Sequence, residues 1–274
     1  MIKNYHYKPV QFFAIVFSVS WISWFLAAAV SYREGTKLIY MLHMIPGLIA
    51  PAATALWMIL KSNSSELKKI ITERLFNLRL IKPISILPLL TIIPGAVLVS
   101  ALISLIFGES ASQFQFAEGF PFSASYIPMF FIIILAAIFE ELGWRGYGLD
   151  SINEKHNFFV TVLIFSVLWS LWHLPLIFIN GYYHNEIMKM NVFYGINFFI
   201  SVFPMAFLIS WIWKLNHRSI LMAILFHAVT NVSQEALRVT QVTKCIETVL
   251  LILITVIIVY LNREMFFGTE RAAA

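Results

Sequence analysis

The sequence predicts an all-α integral membrane protein of about eight transmembrane helices with a polar cavity inside the bundle, and three observations predict it. Charged residues make up only 12% of the chain and hydrophobic residues 60%, against roughly 25% charged in ordinary globular domains, and mean hydropathy is +0.82. The apolar residues gather into runs close to the roughly 20 residues that cross a bilayer as a helix. The few strongly polar side chains inside those runs concentrate in three of them.

The runs follow in order. The first, 10–30, comes after Lys3 and Lys8 and contains Ala27-Ala28-Ala29, which has the look of a signal-peptide cleavage site. It exceeds the 7–15 apolar residues of a signal core, so it is expected to be a retained span. The second, 39–60, is interrupted by Pro46 and Pro51, and the third, 84–107, by Pro88 and Pro94. Such prolines are tolerated in membrane helices because neighbours satisfy the freed carbonyls. Between these two runs, 61–83 places Leu67, Ile70, Ile71, Leu75 and Leu78 at helical spacing beside Lys68, Lys69, Arg74 and Arg79. It reads as a cytoplasmic basic amphipathic segment lying along anionic headgroups. Runs 127–148, 158–180 (with Pro175), 192–213 (with Pro204), 219–238 and 246–261 complete the count. Residues 1–271 are expected to form one polytopic membrane domain, and Ala272 to Ala274 are set aside as an expression remnant. No internal repeat is visible, which argues against an inverted-repeat transporter using Glu140 and Glu141 as its site.

Charge supplies orientation. With the N-terminus inside, fourteen of the 19 basic residues fall on inner segments and five on outer ones, so the positive-inside rule places both termini in the cytoplasm. The 108–126 loop agrees, holding Glu109 and Glu118 and no basic residue. The net charge of +5 is accounted for by these loops. Nucleic acid is excluded as a partner because no single element concentrates Lys and Arg. The single cysteine, Cys245, excludes an internal disulfide.

The stretch Phe139 to Tyr147, F-E-E-L-G-W-R-G-Y, carries the first polar set. An ionised carboxylate at a span's centre is disfavoured by about 3 kcal/mol even on the lenient scale, so Glu140 and Glu141 require partners or a task. Neighbours on a helix point about 100° apart, so the two do different jobs. Glu141 lies four residues before Arg145, the favourable order for an ion pair. Glu140 shares a face with Gly143, Trp144 and Tyr147, and Gly143 admits a close neighbour helix. The fifth run carries W-S-L-W-H-L-P, placing His173 on the face of Trp169 and Ser166, with Pro175 bending the helix just beyond. The seventh carries H-A-V-T-N, with His227 and Asn231 on one face and Gln234 one turn further. His6, His43, His156, His184 and His217 fall in loops or at span ends and carry no signal. A carboxylate to take a proton from water, a histidine to assist, and His and Asn donors for an oxyanion are the parts of a hydrolytic site.

These three motifs resemble those of the intramembrane CAAX prenyl endopeptidases of the Ras-converting type. That family belongs to a wider group that includes bacteriocin-processing and bacteriocin-immunity proteins. E-E-L-G-W-R matches E-E-x-x-x-R, W-S-L-W-H matches F-x-x-x-H with Trp169 in place of Phe, and H-A-V-T-N matches H-x-x-x-N. The ordered trio spans 140–231, eight spans is the family's usual number, and the likeness is closest to archaeal members. The resemblance implies removal of the last three residues of a prenylated C-a-a-X sequence. It assigns water activation to Glu140 and His173, the oxyanion to His227 and Asn231, and support to Glu141 and Arg145. It also implies membrane lipids and a farnesyl or geranylgeranyl C-terminal peptide as partners, with the prenyl chain in an apolar groove. Trp144, Trp169 and Trp172 either line that groove or pack the spans.

Glu140, His173 and His227 also make a plausible zinc set. No H-E-x-x-H is present, and His227 is paired with Asn231, a good oxyanion donor and a poor zinc ligand. The expectation is therefore a glutamate-activated water without cofactor. A zinc-dependent version of the protease and a non-catalytic immunity or scaffold protein stand as alternatives.

Overall fold

Helices account for nearly all regular structure in the computed structural model, which describes residues 5–117 and 127–268, with only the backbone described for residues 37 and 127–130. The expectations resting on Lys3, Glu118, Arg271 and the tail at 272–274 lie outside the described residues. The helices are α1 (Pro9–Ser31), α2 (Lys37–Lys61), α3 (Ser65–Phe76), α4 (Ile86–Ser104), α5 (Ile127–Gly143), α6 (Leu149–Asn153), α7 (Phe158–Trp172), α8 (Tyr183–Met190), α9 (Val192–Leu215), α10 (Ile220–Ala236), α11 (Gln241–Leu261) and α12 (Arg263–Phe267). No sheet forms among the described residues. A lone antiparallel bridge joins Phe116 to Leu237.

Among the described residues, six segments are long and apolar enough to cross a membrane: Pro9–Ser31, Leu38–Lys61, Pro83–Phe107, Phe158–Phe178, Val192–Leu215 and Gln241–Leu261. They coincide with six of the expected runs, so the chain is a multi-pass helical bundle. The fourth and seventh runs form α5 and α10, each of 17 residues. Both are shorter than the six, and they hold Glu140, Glu141, His227 and Asn231. The eighth run begins earlier than its hydropathy indicates. Thr240 caps α11 by accepting from the Thr243 amide, which brings Lys244 inside the helix.

The bundle reverses the soluble pattern. Leu90, Leu98, Leu102, Leu253, Val256 and Ile257 face outward, where lipid would cover them. Glu140, Glu141, Arg145, Ser166, Ser210 and His227 are buried inside. Without a hydrophobic drive between helices in lipid, close packing and hydrogen bonds hold such a bundle. Trp172 Nε1 donates to Ser20 Oγ at 2.8 Å, and Ser20 Oγ donates to the Gly47 carbonyl at 2.9 Å, stitching α7, α1 and α2 together.

The loops gather at two ends. At one, Asp150 accepts from Arg74 and from Arg218, the latter at 3.0 Å, and the Tyr147 hydroxyl meets Tyr5 at 2.9 Å. Helix α3 docks there through fully buried Leu67. At the other end, Gln113 accepts from Thr243 Oγ1 and from the Thr240 amide, the latter at 3.0 Å. The first end collects the segments that alternation assigns to one side of a membrane, the second those assigned to the other.

Candidate active site

Helix α5 does not stop at Gly143. A five-residue π-helical turn, Trp144–Gly148, carries it into α6, and π turns of this kind are frequent at functional sites. Gly143 faces Pro51 of α2 so closely that a Cβ there would overlap the proline ring and backbone. The close approach expected at this glycine is made by α2.

Glu140 is 7% exposed. Its Oε2 accepts from Trp169 Nε1 at 2.8 Å and from Trp144 Nε1 at 3.3 Å. Two indole donors thus hold one carboxylate oxygen, and both tryptophans are buried. Trp172 is packing in the ordinary sense, 4.6 Å from Trp24 between ring centroids.

Glu141 and Arg145 form the expected pair. Arg145 Nη1 donates to Glu141 Oε1 at 2.9 Å, with both side chains fully buried. Arg145 Nη2 reaches Ser210 Oγ at 3.2 Å and the Ala206 carbonyl at 3.4 Å on α9, and its guanidinium lies 4.8 Å over the Phe165 ring. Sequence spacing gives no sign that Glu141 Oε1 also lies 2.9 Å from His227 Nδ1. An ionised carboxylate only accepts, so Nδ1 carries a hydrogen. Neutral His227 then presents a bare Nε2, and it becomes an oxyanion donor only as imidazolium.

His173 caps the C-terminus of α7, where the helix gives way to the tight turn Leu174–Phe178 around Pro175. Its Nδ1 lies 2.8 Å from the Trp169 carbonyl, which accepts, leaving Nε2 bare. Trp169 therefore touches three parts of the site. Its indole holds Glu140, its carbonyl orients His173, and its ring lies edge-on to His227 at 5.5 Å. Asn231 Nδ2 donates to the Ile133 carbonyl of α5 at 3.1 Å, on the side of α5 that faces α10.

Counted from run ends alone, His173 would lie deeper than Glu140. The π turn and α6 remove that mismatch. Glu140 stands thirteen residues before Asn153 and His173 fifteen after Phe158, about 20 and 22 Å at 1.5 Å per residue.

Two polar residues were passed over. Glu247 of α11 is buried and accepts from Gln234 Nε2 at 3.2 Å; one carboxylate in an apolar run is itself a signal. His184 is not an idle loop residue. It is buried in α8 and stacks on His173 at 5.9 Å. No sequence spacing links the two histidines, because a turn and a helix start intervene.

Among the described residues, no three of His, Cys, Asp and Glu converge as ligands of a metal ion. Glu140, His173 and His227 are thus not grouped as a zinc set.

What this site offers is proton transfer and donors for developing negative charge. With water as nucleophile that is hydrolysis, and inside an apolar bundle it is the equipment of an intramembrane hydrolase. A family described as type II CAAX prenyl endopeptidase Rce1-like matches residues 122–233. The protein named CAAX prenyl protease 2 of the archaeon Methanococcus maripaludis (strain S2) is 45% identical over 267 residues, covering 97% of this chain and 98% of that protein. The chain belongs to the type II CAAX prenyl endopeptidase family, as its three motifs suggest.

Proposed function

We propose that this protein is an intramembrane endopeptidase that removes the aaX tripeptide from prenylated C-a-a-X proteins using a water activated by Glu140 and His173. The observation that carries the reading is Glu140 held by two indole donors, one of them from Trp169, whose carbonyl also orients a histidine with a bare Nε2. A water between them gives its proton to the Glu140 carboxylate or to His173 Nε2, and its oxygen attacks the carbonyl carbon of the prenyl-cysteine. The carbonyl oxygen takes the negative charge and receives hydrogen bonds from His227, as imidazolium, and from Asn231. Collapse breaks the C–N bond, and the proton held by Glu140 or His173 goes to the leaving amine. The products are a prenyl-cysteine carboxylate and a free tripeptide. Glu141 and Arg145 support the site, Glu141 by orienting His227.

Eight spans around a polar cavity, in one domain, fit this activity. The prenyl chain, farnesyl or geranylgeranyl, would enter from the lipid, and 61–83 would rest on headgroups. The excess of Lys and Arg supports cytoplasmic termini. Cleavage of a farnesylated C-a-a-X peptide by purified protein tests the reading: Glu140→Ala is expected to abolish it and Glu141→Ala to reduce it. Wild-type activity in Glu140→Ala would remove Glu140 from the water-activating step, and no cleavage by wild type would favour a non-catalytic scaffold. Activity lost on chelation and regained only with zinc would overturn the metal-free step.

A further inference from the structure

We propose that Lys244, with Tyr183 and His184 beside it, binds the free C-terminal carboxylate of the tripeptide that is cut away. This rests on the endopeptidase reading and adds the subsite that measures the leaving fragment.

The leaving tripeptide carries one obligatory charge, its terminal carboxylate. In an apolar bundle such a charge is strongly disfavoured unless it is paired. Three extended residues span about 10 Å at 3.3–3.6 Å each, so the cation that pairs with it must stand about that far from the oxyanion donors. Helix α10 provides the ruler. From His227 to Glu235 is eight residues, about 12 Å along the axis, and the Lys244 ammonium lies 3.7 Å from the Glu235 carboxylate. Measured along the α10 axis, Lys244 thus stands about one tripeptide length from His227, toward the end at which Asn231 and Gln234 follow it.

The surroundings fit a carboxylate. Lys244 Nζ donates to the Tyr183 hydroxyl at 3.3 Å and lies 4.8 Å over that ring, which fixes the ammonium. Its ion-pair partner Glu235 is 57% exposed and at long range, while the lysine side chain is 19% exposed, so solvent screens that pair and a donor remains for an incoming anion. The neighbouring carboxylate, Glu247, is occupied by Gln234. The second, independent observation is His184. It is 8% exposed, and neither ring nitrogen has a hydrogen-bond partner among the described residues. It lies between the stack on His173 at 5.9 Å and the Tyr183 ring at 5.6 Å, along the path from the reacting carbonyl to Lys244. Unsatisfied buried donors and acceptors are rare and require a reason. A peptide passing from His173 to Lys244 supplies partners for both nitrogens.

The test compares a farnesylated C-a-a-X peptide bearing a free C-terminal acid with the same peptide bearing a C-terminal amide, using the purified full chain. Wild type is expected to prefer the acid by roughly ten- to a hundredfold in kcat/KM, the scale of a hydrogen bond to a charged group, with the difference mainly in KM. Lys244→Met brings the acid-to-amide ratio close to one, Lys244→Arg retains most of it, and Arg238→Gln, at the same end of the bundle, keeps the wild-type ratio. Equal cutting of acid and amide by wild type, or an unchanged ratio in Lys244→Met, overturns the subsite while leaving the endopeptidase reading intact. Failure of wild type to cut either peptide removes that reading and the subsite with it.

Discussion

Replacing Glu141 by Gln removes one charge and almost no volume, and its consequences can be worked from the contacts. Glu141 and Arg145 are both fully buried and 2.9 Å apart. In the variant the guanidinium keeps only neutral acceptors, Ser210 Oγ and the Ala206 carbonyl. Stranding one member of a buried pair is destabilising by about 3–5 kcal/mol. At about 2–4 °C per kcal/mol for a chain of this size, that is a fall in Tm on the order of 10 °C. Function suffers separately. The carbonyl of the introduced amide can still accept from His227 Nδ1, but it no longer favours the imidazolium, and loss of an oxyanion donor lowers kcat by about 10²–10³. Thermal unfolding in detergent, followed by tryptophan fluorescence, and cleavage of a farnesylated peptide read the two effects. The double variant Glu141→Gln/Arg145→Met has no stranded charge, so it should recover most of the Tm and none of the activity. A wild-type Tm in the single variant, or a double variant less stable than either single one, would refute the reasoning.

Three further outcomes are expected. Trp169→Phe keeps a ring but removes the 2.8 Å donor to Glu140; a hydrogen bond to a charged group contributes about 1.5–3 kcal/mol, so kcat/KM should fall by roughly ten- to a hundredfold, whereas Trp172→Phe, which donates to Ser20, should lower Tm more than activity. Gly143→Ala drives a methyl into Pro51 and should lower Tm by overpacking, about 1–3 kcal/mol, while Gly146→Ala, whose nearest neighbour is Ile220 Cδ1 at 3.9 Å, should be neutral or stabilising in the same melt. Burial pushes the Asp150 carboxyl up, but Arg74 and Arg218 outweigh it and hold it below its ordinary value. Its stabilising contribution is thus complete above the unfolded value of about 3.9 and is lost as pH falls through the depressed one, so melts below about pH 4 should show a loss that is smaller in Asp150→Asn.

Much of this was legible in the sequence because lipid is a simple solvent. Apolar runs of bilayer length had to become helices, and six did so within a few residues. Glu141 and Arg145 were readable as a pair because i,i+4 geometry is local. Of the partners of Glu140, Trp144 stands one turn along the same helix, but the Trp169 indole reaches it from α7, 29 residues away, and no pattern along one helix encodes that. His227 on Glu141 is a contact across 86 residues, and it changes the proton that His227 must carry. His184 and Glu247 were missed for different reasons. His184 is buried by a turn after Pro175 that hydropathy does not resolve. Glu247 stands alone in its apolar run, outside the three motifs.

The π turn at Trp144–Gly148 sets a constraint on chain length. Glu141 and Asp150 are nine residues apart, and in an uninterrupted α-helix nine steps of about 100° would set them on opposite faces. Both in fact reach toward the α10 end of the molecule, Glu141 to His227 and Asp150 to Arg218. A π turn closes with one residue more than an α turn. The nine steps therefore count as about eight, leaving the two carboxylates roughly 80° apart. The surplus residue phases the buried chemistry against the salt-bridged end. A substitution within Trp144–Gly148 leaves that phase unchanged, whereas deleting one residue rotates everything beyond it by about 100° and takes Asp150 away from both arginines. Along this helix the number of residues is a constraint of its own, apart from their identity.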